Sequence, residues 1–271
     1  METEPVPPGI DPTKAHPSRR YNYWLGGKDN FAVDRESAET VASVFPTVGL
    51  SARENRAFLG RVVRHLAGEV GIDQFLDIGT GLPSAGNVHE IAQSIEPAAR
   101  IVYVDNDPIV LAHARALLPS DPAGRTAYLH ADLLEPGRIL TDPALLRTLD
   151  MSRPVALMLV AIMHFIEDDQ DPYGIVERLL AALPPGSHIV LTNATGDHLT
   201  PEQYAESKTA NARSGVPFRL RSLEEFTRFF TGLELLPPGI GSVVDWRPDV
   251  PPEKRPSVED VSMLCGVARL P

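Results

Sequence analysis

Apolar and polar positions along the chain follow two alternating rhythms. Between residues 51 and 70, Phe58, Leu59, Val62, Val63 and Leu66 recur at helical spacing and form one face. The rhythm then breaks into short apolar runs. Phe75-Leu-Asp-Ile78 and Ile101-Val-Tyr-Val104 read as strands, and Val88, Ile91, Ala92 and Ile95 between them mark one face of a helix. Asp107-Pro108 predicts a further helix start, with Val110, Ala114, Leu117 and Leu118 as its apolar face. The carboxylate caps free N–H groups there, and proline suits a first turn.

Tyr128-Leu-His-Ala131, the run 155–160 and His188-Ile-Val-Leu-Thr192 give three more strands; the second of these is apolar enough to be buried on both faces. Asp171-Pro172 opens a helix that stops at Pro184-Pro-Gly186. Thr200-Pro-Glu-Gln203 and Ser222-Leu-Glu-Glu225 fit the capping box, in which the N-cap and N3 side chains satisfy each other's backbone donors. Residues 233–236 and 261–267 supply two last strands. Strands alternating with helices predict an α/β fold: a doubly wound, mostly parallel, seven-stranded Rossmann-like sheet with an N-terminal helical extension. Residues 1–50 read as an arm and lid-like extension, the first 18 a loose proline-rich segment, before a domain spanning 51–271. Such sheets bind ligands beyond the carboxyl ends of their strands, so function is to be sought just after Ile78, Val104, Ala131 and Val160.

Charge narrows the partners. The 271 residues carry 36 acids against 25 bases, a net charge of −11. That balance argues against a nucleic-acid backbone or an anionic membrane surface as partner. One cysteine, Cys265, forms no disulfide framework and fits a reducing cytoplasm; its apolar surroundings in sequence read as a small buried hydrophobe. The longest apolar run, 155–163, is too short to span a bilayer, and the opening Met1-Glu-Thr-Glu-Pro5 holds no signal-peptide core, so a cytoplasmic location is expected. The eight histidines show no zinc spacing, and no metal is expected.

The strongest chemical signal follows the first strand: Asp77-Ile-Gly-Thr-Gly81. Glycines 79 and 81 let backbone approach a ligand closely. A dinucleotide loop calls for a third glycine where Ser84 stands, and it keeps carboxylates away from an anionic pyrophosphate. Asp77 at the strand end suits a ligand bearing a cation. S-adenosylmethionine carries an ammonium and a sulfonium, and no phosphate. Asp105 ends the second strand, where an acid accepts ribose hydroxyls. Asp107 reads as a helix cap. Asp132 either accepts from an adenine amino group or caps the turn before Glu135-Pro136. His164 follows the fourth strand, as a general base toward a nucleophile or as a satisfied loop histidine.

The N-terminal stretch Arg20-Tyr-Asn-Tyr-Trp-Leu-Gly-Gly-Lys-Asp-Asn-Phe31 crowds aromatic, flexible and basic residues together. Base stacking on its aromatics is one reading, opposed by the net acidity. Plain packing of the arm is a second. A third is a lid over the open side of the ligand site, with Tyr21 or Tyr23 near the ligand.

At these residues the sequence resembles the class I S-adenosylmethionine-dependent methyltransferases across about residues 50–270. The resemblance implies S-adenosylmethionine as cofactor. It places the methionine part on Asp77, Gly79, Thr80 and Gly81, the ribose on Asp105 and Asn106, and the adenine on Asp132 and Leu133. Val160 and Ala161, in the run from Leu159 to Asp168, would face the methyl group, with Tyr23 and Gly27 contributed by the lid. Pro83 departs from the family, which has a third glycine there. Arg20 to Phe31, Arg53-Glu-Asn-Arg56, residues 77–87 and Asp245-Trp-Arg-Pro248 resemble more closely a bacterial family called S-adenosyl methyltransferase, formerly of unknown function. The expected function is methyl transfer to an unidentified small-molecule acceptor, with His164 and Tyr21 as candidate catalytic residues. Transfer from an activated sulfonium mainly requires alignment in a dry site. Two rivals remain: a non-catalytic S-adenosylmethionine-binding regulatory protein, and a nucleotide-dependent oxidoreductase, which Asp77 and Ser84 disfavour. Nothing in the pattern sets an oligomeric state.

Overall fold

A computed structural model describes residues 10–110, 112 and 122–271. Five strands run parallel: β1 (Gln74–Ile78), β2 (Arg100–Asp105), β3 (Arg125–His130), β4 (Ala156–Leu159) and β5 (His188–Ala194). β6 (Glu234–Leu235), β7 (Gly241–Ser242) and β8 (Met263–Arg269) complete the sheet, with β8 antiparallel to β5, β6 and β7. The order is β3-β2-β1-β4-β5-β8-β6, with β7 also on β8. The described residues thus hold eight strands where the pattern predicts seven. The extra one, β7, is two residues long and leaves no periodic signal.

The chain runs outward from β1 to β2 and β3, then returns to place β4 on the other side of β1. That reversal opens a crevice between the carboxyl ends of β1 and β4. Alternate residues of the strands feed two cores. Leu76, Ile78, Val102, Val104, Leu157 and Leu159 join one; Phe75, Ile101, Ala156, Met158 and Val190 join the other. Asp77 shares the register parity of Phe75, so it lies on the second face.

Four N-terminal helices matter to the site: α1 (Pro17–Trp24), α2 (Ala32–Ala42), α3 (Val48–His65) and α4 (Val88–Ile95). α3 covers the second face through Phe58, Leu59, Val62, Val63 and Leu66, the stripe read from the sequence. It runs on into a π-helical turn, Leu66–Val70, closed by Gly71 at φ +82°. The buried Arg61 of α3 donates to the carbonyls of Trp246 (3.0 Å) and Val243 (2.6 Å), and Trp246 packs edge-on against Phe58. Asp245-Trp-Arg-Pro248 is thus a packing station for α3.

α1 packs on α2 and α3, and α2 packs on the helix Pro201–Arg213. Arg20 joins these parts: it is fully buried and donates to Ser37 Oγ and Ser214 Oγ. Both predicted capping boxes form, Thr200 with Gln203 and Ser222 with Glu225. Asp107 caps the helical turn that starts at Pro108, accepting from the Ile109 N–H at 3.1 Å. Ala114, Leu117 and Leu118, predicted to form that helix's apolar face, lie outside the described residues.

Candidate active site

A cleft of about 280 Å³ lies over the carboxyl ends of β1, β2 and β4. Its floor is the turn after β1. Gly79 and Gly81 both take positive φ (+75° and +68°), and the N–H groups of Gly79 and Thr80 donate to the Val104 carbonyl. A Cβ on Gly79 would sit 2.1 Å from Ile162 Cδ1, so the loop after β4 rests directly on this glycine.

Two buried carboxylates flank the turn. Asp77 accepts from Thr80 Oγ1 at 3.2 Å. Burial pushes its carboxyl up to about 7, against the pull of Arg56 and Thr80. Asp105 accepts from the Gly81 N–H (2.8 Å) and the Asp107 N–H (2.9 Å). Burial raises its carboxyl too, with those two N–H groups holding it down. A carboxylate oxygen has room for more than one hydrogen bond, so both acids keep lone pairs for a ligand.

Asn106 and Asp132 meet at the far end, where Asn106 Nδ2 donates to Asp132 Oδ2 at 2.9 Å. Asp132 Oδ1 accepts from the Leu134 N–H, and Leu133 is buried beside it. Asp132 therefore caps its turn and also lines the cleft. Val160 and Ala161 form the wall above β4. Ala161 takes φ +56°, a left-handed conformation that costs a residue with a Cβ about 1–3 kcal/mol. Its N–H leaves the sheet ladder and donates to Thr192 Oγ1.

The structure brings Asp77, Gly79, Thr80, Gly81, Asp105 and Asn106 into one cleft, together with Asp132, Leu133, Val160, Ala161 and Tyr21. Three expected residues fall elsewhere. Tyr23 lies two residues, about 200°, round α1 from Tyr21. Its hydroxyl donates to Glu39 on the outer side, in a separate surface groove. Gly27 packs on Asn22: a Cβ there would lie 2.3 Å from Asn22 Nδ2, and its N–H donates to the Asn22 carbonyl. It serves the turn after α1, away from the cleft.

His164 is the third correction. Its ring is 4% exposed and packed against Phe165 and Phe218, with Nδ1 toward the Ala194 N–H. Burial, then the charges of Arg221 and Arg20, push it down to about 3. It is a neutral core residue that supports the loop, with no proton-accepting atom in the cleft.

Other lining residues went unassigned in the sequence. Ala15, His16, Pro17 and Ser18 roof the cleft, latched by Asp107. The Asp107 Oδ2 takes Ser18 Oγ and Arg19 Nε, each at 3.1 Å, and meets His16 Nδ1 at 3.2 Å. Asn55 and Arg56 of α3 line one wall; Phe165, Ile166, Val216 and Pro217 line another. Asn55 had left a trace: it precedes Phe58, Leu59 and Val62 at spacings of three, four and seven, a polar residue on a buried stripe.

A sheet with this strand order, and a glycine turn edged by two acids at its reversal point, defines the Rossmann-like methyltransferase class. Residues 3–271 match the S-adenosyl methyltransferase family, and the chain belongs to it. The chain is similar to a DUF574 family protein of Streptomyces avermitilis, with 46% identity over 95% of this chain and 98% of that one, at a TM-score of 0.91. It is also similar to a candidate methyltransferase from Thermobifida fusca, with 41% identity over 99% of each chain and a TM-score of 0.89. The N-methyltransferase NodS from Bradyrhizobium japonicum shares the fold at 14% identity and a TM-score of 0.50, over 82% of this chain and 97% of that one. No curated protein sequence matches the chain. Family membership makes S-adenosylmethionine the cofactor and methyl transfer the chemistry.

Proposed function

We propose that the protein transfers a methyl group from S-adenosylmethionine, bound along the β1–β4 crevice, to a small molecule seated between the post-β4 loop and residues 215–217. The observation that carries this reading is the pair of buried carboxylates, Asp77 and Asp105, on either side of the glycine turn. They suit a cationic donor with a ribose and repel a pyrophosphate, which turns the reading away from an oxidoreductase.

The residues present fit the donor. A buried polar atom on a cleft-lining residue, Asn55 Oδ1, has no hydrogen-bond partner among the described residues, and a polar ligand would satisfy it. Asp77 would face the donor's cationic part, Asp105 and Asn106 the ribose, and Asp132 with the Leu133 backbone the adenine. Bound there, S-adenosylmethionine supplies a methyl group already activated for in-line displacement.

The chain's own part is alignment and dryness. Ile162, Phe165, Ile166, Val216 and Pro217 give the acceptor end an apolar wall. α1 closes the roof as a lid, with Tyr21 inside and Tyr23 outside. With His164 sealed in the core, that histidine supplies no base to the acceptor atom. The lone buried Cys265 fits a reducing, cytoplasmic setting. Among the described residues, no helix is long and apolar enough to cross a membrane.

Label transfer tests the reading. The protein, labelled S-adenosylmethionine and a fractionated bacterial extract are incubated together, and label is counted in small-molecule, protein and nucleic-acid fractions. Label in the small-molecule fraction is expected. Label confined to the other fractions contradicts the acceptor class. Donor binding without any transfer favours a regulatory protein.

A further inference from the structure

Arg19 and Arg20 are consecutive on α1 and both buried, yet they hold two different walls of the cleft. Successive helical residues point about 100° apart. Arg19 turns toward the end of β2, where its Nε donates to Asp107 Oδ2 at 3.1 Å. Ser18 Oγ donates to the same oxygen, and the Asp107 N–H reaches Asp105 Oδ1 at 2.9 Å. Arg20 turns the other way. Its Nη1 donates to Ser214 Oγ at 3.1 Å, and Ser37 Oγ donates to the Ser214 carbonyl at 2.6 Å. Ser214 Oγ also takes the Val216 N–H at 3.4 Å, so this anchor sets the start of the wall formed by residues 215–217.

The strand order β3-β2-β1-β4 puts Asp107, which follows β2, between the β3 end and the β4 end of the crevice. The roof latched there, Ala15 to Ser18, therefore crosses the middle of the cleft. Beyond it Leu134 is exposed on the β3 side, and Gln170, Gly215 and Pro217 are exposed on the β4 side. A ligand lying along the floor is held under the roof, while the β4 end stays open to solvent. Apolar contacts fix the roof as well: Ile10 and Phe31 pack on Leu82, Ile109 and Val110. Arg19 Nη1 lies 3.5 Å from the buried Asp34 of α2, so one guanidinium serves two buried acids. Breaking one of those pairs alone strands a buried charge, so the latch opens as a unit.

We propose that α1 closes over bound donor and, in the same movement, assembles the acceptor wall, with Arg19 and Arg20 as the positioning residues for the two sides. His16 and Ser18 line the cleft, so the donor meets them only in the closed state and biases α1 toward it. Arg20 carries that bias to Ser214. The donor thus binds before the acceptor, which enters by the open β4 end, and S-adenosylhomocysteine leaves last, when α1 lifts. The inference rests on the reading of the cleft as the donor's site and adds an order to the reaction.

Hydrogen exchange on the full chain, with and without S-adenosylhomocysteine, tests this. In the wild type the ligand is expected to slow exchange in residues 15–21 and 214–216 together. Ser214→Ala removes the side-chain acceptor of Arg20, so protection of 15–21 should persist and protection of 214–216 should fall away. Direct contact between ligand and wall predicts protection of 214–216 that survives Ser214→Ala, and that result overturns the coupling. Wild-type protection of 15–21 alone overturns it too. Ser18→Ala, which spares the Arg19 ion pairs, should release S-adenosylhomocysteine about tenfold faster in stopped flow, the scale of one hydrogen bond to a charged group. Unchanged release, or wild-type protection confined to 214–216, overturns α1 as the gate. Thermal unfolding checks both variants, and Ser37→Ala, which removes the other side chain bound to Ser214, carries the test if Ser214→Ala does not fold. A wild type that binds no S-adenosylhomocysteine overturns the donor reading and the order with it.

Discussion

The Gly81 N–H donates to Asp105 Oδ2 at 2.8 Å, which makes the turn after β1 and the acid at the end of β2 one unit. The Asp107 N–H holds the other oxygen, and Asp107 in turn latches Ser18 and Arg19 of α1. Asp105→Ala frees both amides and removes the acceptor proposed for the ribose. S-adenosylhomocysteine should bind more weakly by about 1.5–3 kcal/mol, the usual worth of hydrogen bonds to a charged group. Unchanged affinity by calorimetry would remove Asp105 from the site.

Gly79 and Gly81 share a left-handed backbone but not the same surroundings. A Cβ on Gly79 meets Ile162 Cδ1 at 2.1 Å, whereas one on Gly81 meets nothing within 4 Å. Alanine at either position bears the conformational cost of about 1–3 kcal/mol. Gly79→Ala must also displace Ile162, so its thermal midpoint should fall clearly below that of Gly81→Ala. Equal losses would mean that the post-β4 loop does not rest on the turn.

Asp77 makes stability and binding pH-dependent in a defined direction. Its carboxyl stands at about 7 in the folded chain against an ordinary 3.8. Between those values the folded chain keeps a proton that the unfolded chain has released. The stabilisation is full below about pH 4 and is lost as pH rises through about 7. Asp77→Asn escapes this loss, so its stability relative to wild type should rise from pH 5 to pH 8 in chemical denaturation. A cationic ligand favours the ionised acid, so donor binding near pH 6 should release a proton in the wild type and not in Asp77→Asn. Calorimetry in buffers of different ionisation enthalpy counts that proton. Proton uptake would contradict the assignment.

His164 behaves in the opposite sense. Its imidazole stands at about 3 against an ordinary 6.5. Below 6.5 the unfolded chain takes a proton that the folded chain refuses, so this contribution is intact above about 6.5 and is lost on acidification toward 3. His164→Gln should flatten the acid limb of stability. The wild-type ring protons should show no titration between pH 5 and 8 by NMR; a midpoint near 6.5 would place the ring in contact with solvent.

Much of the fold was legible because parallel strands buried on both faces write continuous apolar runs. β1, β2, β4 and β5 emerged within a residue or two for that reason. β6 fell within the predicted run 233–236, whereas β7 is a two-residue pairing set by β8, and length that short carries no period. The cleft positions of Asp77 and Asp105 were legible because sheets of this kind open their crevice at strand ends. Tyr23, Gly27 and His164 were misplaced because sequence proximity to a motif does not specify a face. Tyr21 and Tyr23 point to opposite sides of one helix, and His164 turns inward between two phenylalanines. Residues 215–217 are brought to the cleft by the docking of Arg20 and Ser37 on Ser214 and by the Arg219 N–H bond to the His164 carbonyl, long-range contacts that no local pattern encodes.

The central claim is that the crevice between β1 and β4 holds an adenosine-bearing cationic donor and rejects a diphosphate. Parallel calorimetric titrations of the wild type and Asp105→Ala with S-adenosylhomocysteine and with NAD test it most directly. The account predicts one equivalent of S-adenosylhomocysteine on the wild type, weakened binding on the variant, and no heat from NAD on either. Tight NAD binding that Asp105→Ala abolishes, with S-adenosylhomocysteine inert, would contradict it.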